Sequence, residues 1–209
     1  FVWDDPDYIV NNPNLRDPAG LLRTWTDVYS LPQWYPLVHT TYWLEYQLWG
    51  LWAPGYHTVN IVLHALGAVL LWRLLLRLGL SATAALLGAL LWSLHPVQVE
   101  SVAWVTERKN TLSLIFYLLA ALALLRWRDL ASASHDPAAT PHDHASDPHN
   151  PATEPHDHPS GPRPLASEPS DRWGWYVLAA GCFRLALLSK TVTASLPAAY
   201  LVVVHWKRG

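Results

Sequence analysis

Methionine is absent from the chain, cysteine occurs once, and charged residues make up only 14% of the 209 positions. Each shortage excludes something. Soluble domains carry about 25% charged residues, so a chain this poor in charge is not composed like an ordinary water-soluble domain. One cysteine cannot close an internal disulfide, and Cys182, set in an apolar run, reads as a small packing residue. A net charge of −2 leaves no basic footprint, so no nucleic-acid partner is expected. With no methionine and Phe1 in first place, the sequence is expected to be a stretch of a longer chain. Any signal peptide or first membrane helix would then lie upstream, and further sequence beyond Gly209.

What is present is apolar and rich in tryptophan. Half of the residues are hydrophobic, yet the mean hydropathy is only +0.10, because one polar block interrupts an otherwise apolar chain. Up to about Tyr56 the sequence is mixed. "NNPNLRDPAG" carries turn chemistry, and "LVHTTYWLEYQLWG" reads as an aromatic-rich amphipathic helix stopped by Gly50. Trp43, Trp49 and Trp52 suit a membrane–water boundary, so this helix is expected to lie on the membrane surface. Apolar stretches follow: "VNIVLHALGAVLLW" continuing through "RLLLRLGL", then "SATAALLGALLWSL", "TLSLIFYLLAALALLRW", "WGWYVLAAGCFRLALLS" and "TVTASLPAAYLVVVHW". A span needs roughly 20 apolar residues; the second stretch is short for one and reads equally as a re-entrant segment with small, close-packing residues.

The expected organisation is therefore an all-α, polytopic transmembrane helix bundle. Residues 1–58 form an external loop with an acidic motif and surface helices. Residues 59–130 are transmembrane helices with an external loop at 95–110. Residues 131–172 are a His/Asp/Pro-rich cytoplasmic loop, and 173–209 hold two further transmembrane helices. The 131–172 block has almost no large apolar residues, so burial cannot offset its ordering entropy, and it reads as disordered. Its histidines lack the fixed geometry of a selective metal site, so no metal site is assigned. Charge fixes the orientation. With the opening loop outside, Arg73, Arg77, Arg126, Arg128, Arg172, Lys207 and Arg208 lie at inner ends. The outer turns carry Arg108, Lys109 and Lys190.

Asp4 and Asp5 open the chain beside a membrane face, among aromatic and apolar residues. An adjacent acid pair is ordinarily an exposed loop feature or a helix N-cap. Here His95, Glu100, Glu107, Arg108, Lys109 and Lys190 gather on the same side, and His57, Asn60 and His64 share one helix face. Each histidine alone reads as a packing residue, but ionisable groups near bilayer depth point to function. Carboxylates facing several cations suit an anionic substrate and one acid–base step. Arg184, in mid-span, has no partner that the sequence identifies.

The segments "FVWDDPDYIVNNPNL", "GYHTVNIVLHAL", "LWSLHPVQVESVAWVTERKNTLSLIFYLLA" and "LALLSK…SLP" occur in an order that resembles the transmembrane-and-tetratricopeptide-repeat O-mannosyltransferase-like family. Its members are GT-C class membrane glycosyltransferases. The resemblance covers nearly everything except the His-rich insert. It implies transfer of a sugar, mannose or similar, with inversion, from a polyprenyl-phosphate donor to a protein or glycan acceptor on the external face. It implies a multi-pass protein of the bacterial inner membrane, or of the endoplasmic reticulum in eukaryotic relatives, with membrane lipid as a partner. It also implies that the acidic pair carries the base. An acceptor hydroxyl needs such a base, which makes Asp4 and Asp5 the catalytic candidates, and which of the two acts stays open. A lipid-phosphate leaving group needs cations, for which Arg108, Lys109 and Lys190 are candidates. His57, His95 and Glu100 are expected to shape the pocket. The lipid-linked sugar is the one small molecule called for, and a divalent metal is left open.

The chain departs from the family pattern at Thr191, where proline usually follows "SK", at His205, where an acid is usual, and at Arg184. No helical repeat of about 34 residues is found in the sequence. The competing expectations are a non-catalytic membrane anchor for a tetratricopeptide-repeat interaction domain and, ranked below it, a transporter or metal-handling protein.

Overall fold

The computed structural model describes residues 1, 3–133 and 169–206, so the His-rich stretch at 134–168 lies outside the described residues. Those residues are helical and contain no strand. A π-type turn at Pro6–Val10 and a 3-10 turn at Pro13–Leu15 lead into α1 (Pro18–Thr26) and α2 (Pro36–Trp49). The long α3 (Ala53–Leu78), α4 (Ala82–Ser93), the single-turn α5 (Gln98–Ala103) and the long α6 (Arg108–Ala133) follow. After the 134–168 stretch come α7 (Pro169–Ser189), a 3-10 turn (Thr191–Ser195) and α8 (Leu196–Trp206).

Local chemistry sets most of these boundaries. Asp17 caps α1, accepting from the Gly20 N–H at 2.5 Å, with Pro18 at the first helical position. Pro36 opens α2, and Gly50, at φ 60, closes it as the sequence predicts. Ser81 caps α4 through the Ala84 N–H. Gly79 (φ 101) ends α3 with a Schellman-like closure, in which the Leu80 N–H reaches the Leu75 carbonyl at 3.2 Å. α3 begins at Ala53, earlier than the apolar run read from Val59, because Pro54 fits the first turn of a helix.

α3 and α6 run parallel. The first turns of α3 meet the start of α6 through Tyr56, Asn60 and Arg108, and their far ends meet through Arg77 and Asp129 at 3.4 Å. α4 returns antiparallel along α3, where Gly88 permits close approach, since a Cβ there would lie 3.2 Å from Leu75; Gly67 does the same for α3 against α6, where a Cβ would lie 3.3 Å from Leu114. α7 packs extensively on α6 and runs antiparallel to it, with Tyr176 beside Trp127 at one end and Lys190 on Asn110 at the other. The bundle thus has two ends. A helix of 26 residues, at 1.5 Å per residue, separates them by about 39 Å.

The main core sits at the end where the chain begins. Tyr8, Ile9, Leu15, Val38, Tyr42, Tyr56, Val105 and Leu112 form one cluster, which docks the opening segment and α2 on α3 and α6. Val38, Tyr42 and Glu45 are buried at helical spacing along α2. Polar tips fasten the rim: Trp43 Nε1 donates to the Asp17 carbonyl at 3.0 Å, and Gln47 Nε2 to the Leu15 carbonyl at 2.9 Å.

Among the described residues two helices, α3 and the Arg108–Ala131 part of α6, are long and apolar enough to cross a membrane. Most of the α3 window lies outside the protein core, with Ile61, Val62, Leu66 and Val69 turned outward. α4 has 12 residues and α8 has 11, each well short of the roughly 20 needed to span. α7 is long enough, but Arg172 and Arg184 dilute its apolarity, and Arg184 is exposed on its surface.

Candidate functional site

The site is organised by the crossing from α5 into α6. An irregular backbone inside a packed core needs hydrogen-bond partners, and three separate segments supply them. Asn60 of α3 donates to the Trp104 carbonyl at 2.8 Å, and the Tyr42 hydroxyl of α2 donates to the Val105 carbonyl at 2.7 Å. The Thr106 N–H donates to Asp5 Oδ1 at 3.0 Å. Asp5 is 0% exposed, whereas Asp4 beside it is exposed. The acid pair is therefore split: Asp5 fixes the crossing, and Asp4 faces out.

Arg108 follows at the first position of α6 and is also 0% exposed. Its Nε donates to Asn60 Oδ1 at 2.8 Å, and one terminal nitrogen donates to the Tyr56 carbonyl at 2.9 Å. The other terminal nitrogen donates to Thr41 Oγ1 at 3.2 Å and forms an ion pair with Glu45. The guanidinium lies 4.8 Å from the Tyr42 ring centroid. Four of its roughly five N–H donors are thus engaged inside the protein. Burial pushes the Glu45 carboxyl above the usual range, and the Arg108 charge opposes that shift. Burial likewise pushes the Tyr42 hydroxyl far up. The sequence places Arg108 among the phosphate-binding candidates. In the structure its side chain ties α2, α3 and α6 together and presents no surface to a ligand.

The other two cations lie on a continuous polar line. Lys109 pairs with Glu107 at 2.9 Å and reaches Gln33 at 3.4 Å. Asn110 Nδ2 donates to Glu107 Oε2 at 2.6 Å and to Ser101 Oγ at 3.0 Å, and Asn110 Oδ1 accepts from Lys190 Nζ. Lys190, Asn110, Ser113, Thr193 and Ser195 then line an open pocket of about 280 Å³, floored by Leu114 and Tyr117. Tyr117 also borders an apolar groove running along Ala121, Leu125, Leu196, Ala199 and Tyr200. At the opposite end of the line is Tyr8. Its hydroxyl is pushed up to about 12, first by burial and then by the negative charge of Asp4, with Tyr35, Glu107 and Asp7 adding to it. Asp4 and Glu107 therefore share one neighbourhood.

Beneath Tyr8, His39 is stacked on its ring at 5.4 Å and meets Tyr42 edge-on at 5.7 Å. Burial pushes its imidazole down to about 4. His57 and His95 do converge, together with His64, on a separate cleft of about 410 Å³ bordered by Ile61, Leu94 and Val99. His64 bonds the Ser93 carbonyl at 2.9 Å and stacks on Trp92. Glu100 is exposed on α5 and lines neither this cleft nor the Lys190 pocket. Among the described residues no cluster of histidine, cysteine and acidic side chains could hold a metal ion.

The sequence reading gave no site role to Glu45, Tyr42, Asn110, Ser113 or Thr193. Glu45 carried a signal, as the lone carboxylate in a 14-residue aromatic helix. The hydroxyls and Asn110 carried none, because isolated Ser, Thr and Asn are common near helix ends.

The sequence is similar to several curated proteins. Over 145 residues, 58% of the chain, it is 35% identical to protein O-mannosyl-transferase TMTC4 of Homo sapiens, covering 20% of that protein. Over 142 residues, 62% of the chain, it is 32% identical to a protein O-mannosyl-transferase of Caenorhabditis elegans, covering 21% of it. Over about 60% of its length the chain is similar to protein O-mannosyl-transferases. A third such enzyme, TMTC3 of Mus musculus, is 33% identical over 133 residues, 59% of the chain and 14% of the mouse protein. The chain thus spans about a fifth or less of the length of these O-mannosyl-transferases. No family model matches the chain, and no solved structure matches it.

Proposed function

We propose that the chain is the membrane part of a glycosyltransferase of GT-C type, moving a hexose, mannose or similar, from a polyprenyl phosphate to an acceptor hydroxyl. The observation that carries this reading is the Lys190 pocket opening beside an apolar groove that shares Tyr117 with it. A charged, hydroxyl-lined head and an apolar tail match the two chemistries of a lipid phosphate. The O-mannosyl-transferase relatives supply the reaction class.

In this reading Asp4 is the base. It takes the acceptor hydroxyl proton as that oxygen attacks the anomeric carbon, and the bond from that carbon to the phosphate oxygen breaks. A single displacement inverts the anomeric centre. The electron pair leaves on the lipid phosphate, where Lys190, oriented by Asn110, stabilises it, and Lys109 adds positive potential nearby. Asp5 and Arg108 touch no substrate and hold the crossing that sets the spacing. The reaction runs on the external, periplasmic or lumenal, face of a multi-pass protein, and the acceptor is a protein or glycan.

The test uses the full-length protein in proteoliposomes with radiolabelled polyprenyl-phosphate mannose. Asp4→Asn is expected to lower transfer by roughly 10²–10⁴-fold while the protein stays folded. Lys190→Ala is expected to weaken donor binding. Full transfer by Asp4→Asn would overturn the base assignment. No transfer by the wild type with several donors and acceptors would favour a repeat-bearing anchor instead.

A further inference from the structure

Trp3, one residue before the proposed base, has an unusual backbone and an unusual exposure. Its φ is 50, and among the described residues no other non-glycine has a positive φ. That conformation is strained for a bulky side chain and tends to persist where the strain serves a function. The residue is 76% exposed. The ring stacks nearly parallel on Trp104, with centroids 6.1 Å apart and planes 10° from parallel. Trp104 is itself held, since its carbonyl accepts from Asn60 at 2.8 Å. The next two residues, Val105 and Thr106, are held by Tyr42 and Asp5. A rigid crossing thus lies against the Trp3 indole, the residue stays largely exposed, and the exposed Asp4 follows it in the chain.

We infer that the open face of Trp3 is the platform on which the transferred hexopyranose stacks, with Trp104 as its backing. This rests on the transferase reading above. An aromatic face carries negative quadrupole density, and a pyranose presents a face of polarised C–H groups that complements it. The proposed chemistry limits the position. The acceptor oxygen touches Asp4 and bonds to the anomeric carbon, so the sugar ring must lie within one ring's reach of that carboxylate. Tyr8, whose hydroxyl feels the Asp4 charge, is buried, whereas Trp3, next to Asp4 in the chain, is exposed. A tryptophan serving only as a membrane-interface anchor would contribute equally to any lipid ligand. A sugar platform would contribute only when the sugar is present.

Equilibrium binding of two radiolabelled probes to the full-length protein in nanodiscs separates these roles: polyprenyl-phosphate mannose and bare polyprenyl phosphate. Trp3→Ala is expected to weaken the mannosyl lipid roughly tenfold, which corresponds to the ~1.4 kcal/mol of one good aromatic contact. Binding of the bare lipid should stay unchanged. Trp3→Phe should bind the mannosyl lipid within about threefold of wild type, and Trp104→Ala should lose less than Trp3→Ala. Unchanged mannosyl-lipid binding by Trp3→Ala, or equal weakening of both lipids, overturns the platform and leaves the transferase reading standing. A wild type that binds neither lipid overturns both.

Discussion

The two ends of the bundle treat charge in opposite ways. At the far end, Arg77 meets Asp129 at 3.4 Å with both side chains about half exposed, and Arg128 reaches the same carboxylate at 3.7 Å. Such pairs contribute about 0–1 kcal/mol, because solvent screens them and ordering two long side chains opposes them. At the near end, Arg108 and Glu45 are buried together among Asn60, Thr41, Tyr56 and Tyr42. There the low dielectric makes every unmatched group expensive. The Arg-rich far end can change freely as long as it stays charged. The near end is a network in which each member fixes the others, and it carries the candidate chemistry.

The largest effect that sharpens this contrast is expected from Arg108→Ala. It would strand the Glu45 carboxylate and cost about 3–5 kcal/mol, seen as a large loss of thermal stability in detergent or nanodiscs. Replacing the pair together, as Arg108→Met with Glu45→Leu, should recover much of that loss. An Arg108→Ala protein of unchanged stability but weakened donor binding would return Arg108 to the phosphate site and erase the contrast.

His39 comes next. Its imidazole titrates near 6.5 when unfolded and is pushed down to about 4 when folded. The unfolded chain therefore binds more protons between these values. Stability from this group is fully present above about pH 6.5 and declines as pH falls toward 4, by up to roughly 3 kcal/mol. A melting-temperature profile over that window should lose most of its slope in His39→Gln. An unchanged slope would place the pH sensitivity elsewhere.

The smallest effect is expected at the far end. Arg77→Ala should shift stability by less than about 1 kcal/mol, and raised salt should shrink even that. A loss comparable to that of Arg108→Ala would mean the two ends are not different in kind.

Much of the helical layout was legible in the sequence because its signals are local. Pro36 and Gly50 bracket α2, and long apolar runs mark α3 and α6. The exception among local readings is instructive. "VTERKN" looks like the rest of a polar loop, yet Arg108, Lys109 and Asn110 are the first turn of α6. Cations at a helix N-terminus oppose its dipole, so local rules argue against a helix there. Glu45 on α2, 63 positions away from Arg108, and Glu107 beside Lys109 offset that penalty.

By itself, then, the sequence determined the material: an apolar, charge-poor helical chain, an acid pair at one edge, cations divided between two ends, and the family resemblance. Those properties reside in composition, short-range periodicity and motif order. Only the tertiary structure decided which member of each set does what. It buried Asp5 against the Thr106 N–H and left Asp4 open. It enclosed Arg108 and set Lys190 over a pocket, and it carried Glu100 away from the histidine cleft. Adjacent aspartates, or an arginine next to a lysine, are equivalent until a partner distant in the chain desolvates one of them. That selection comes from packing, through the cost of removing a charge from water, and it has no local signature.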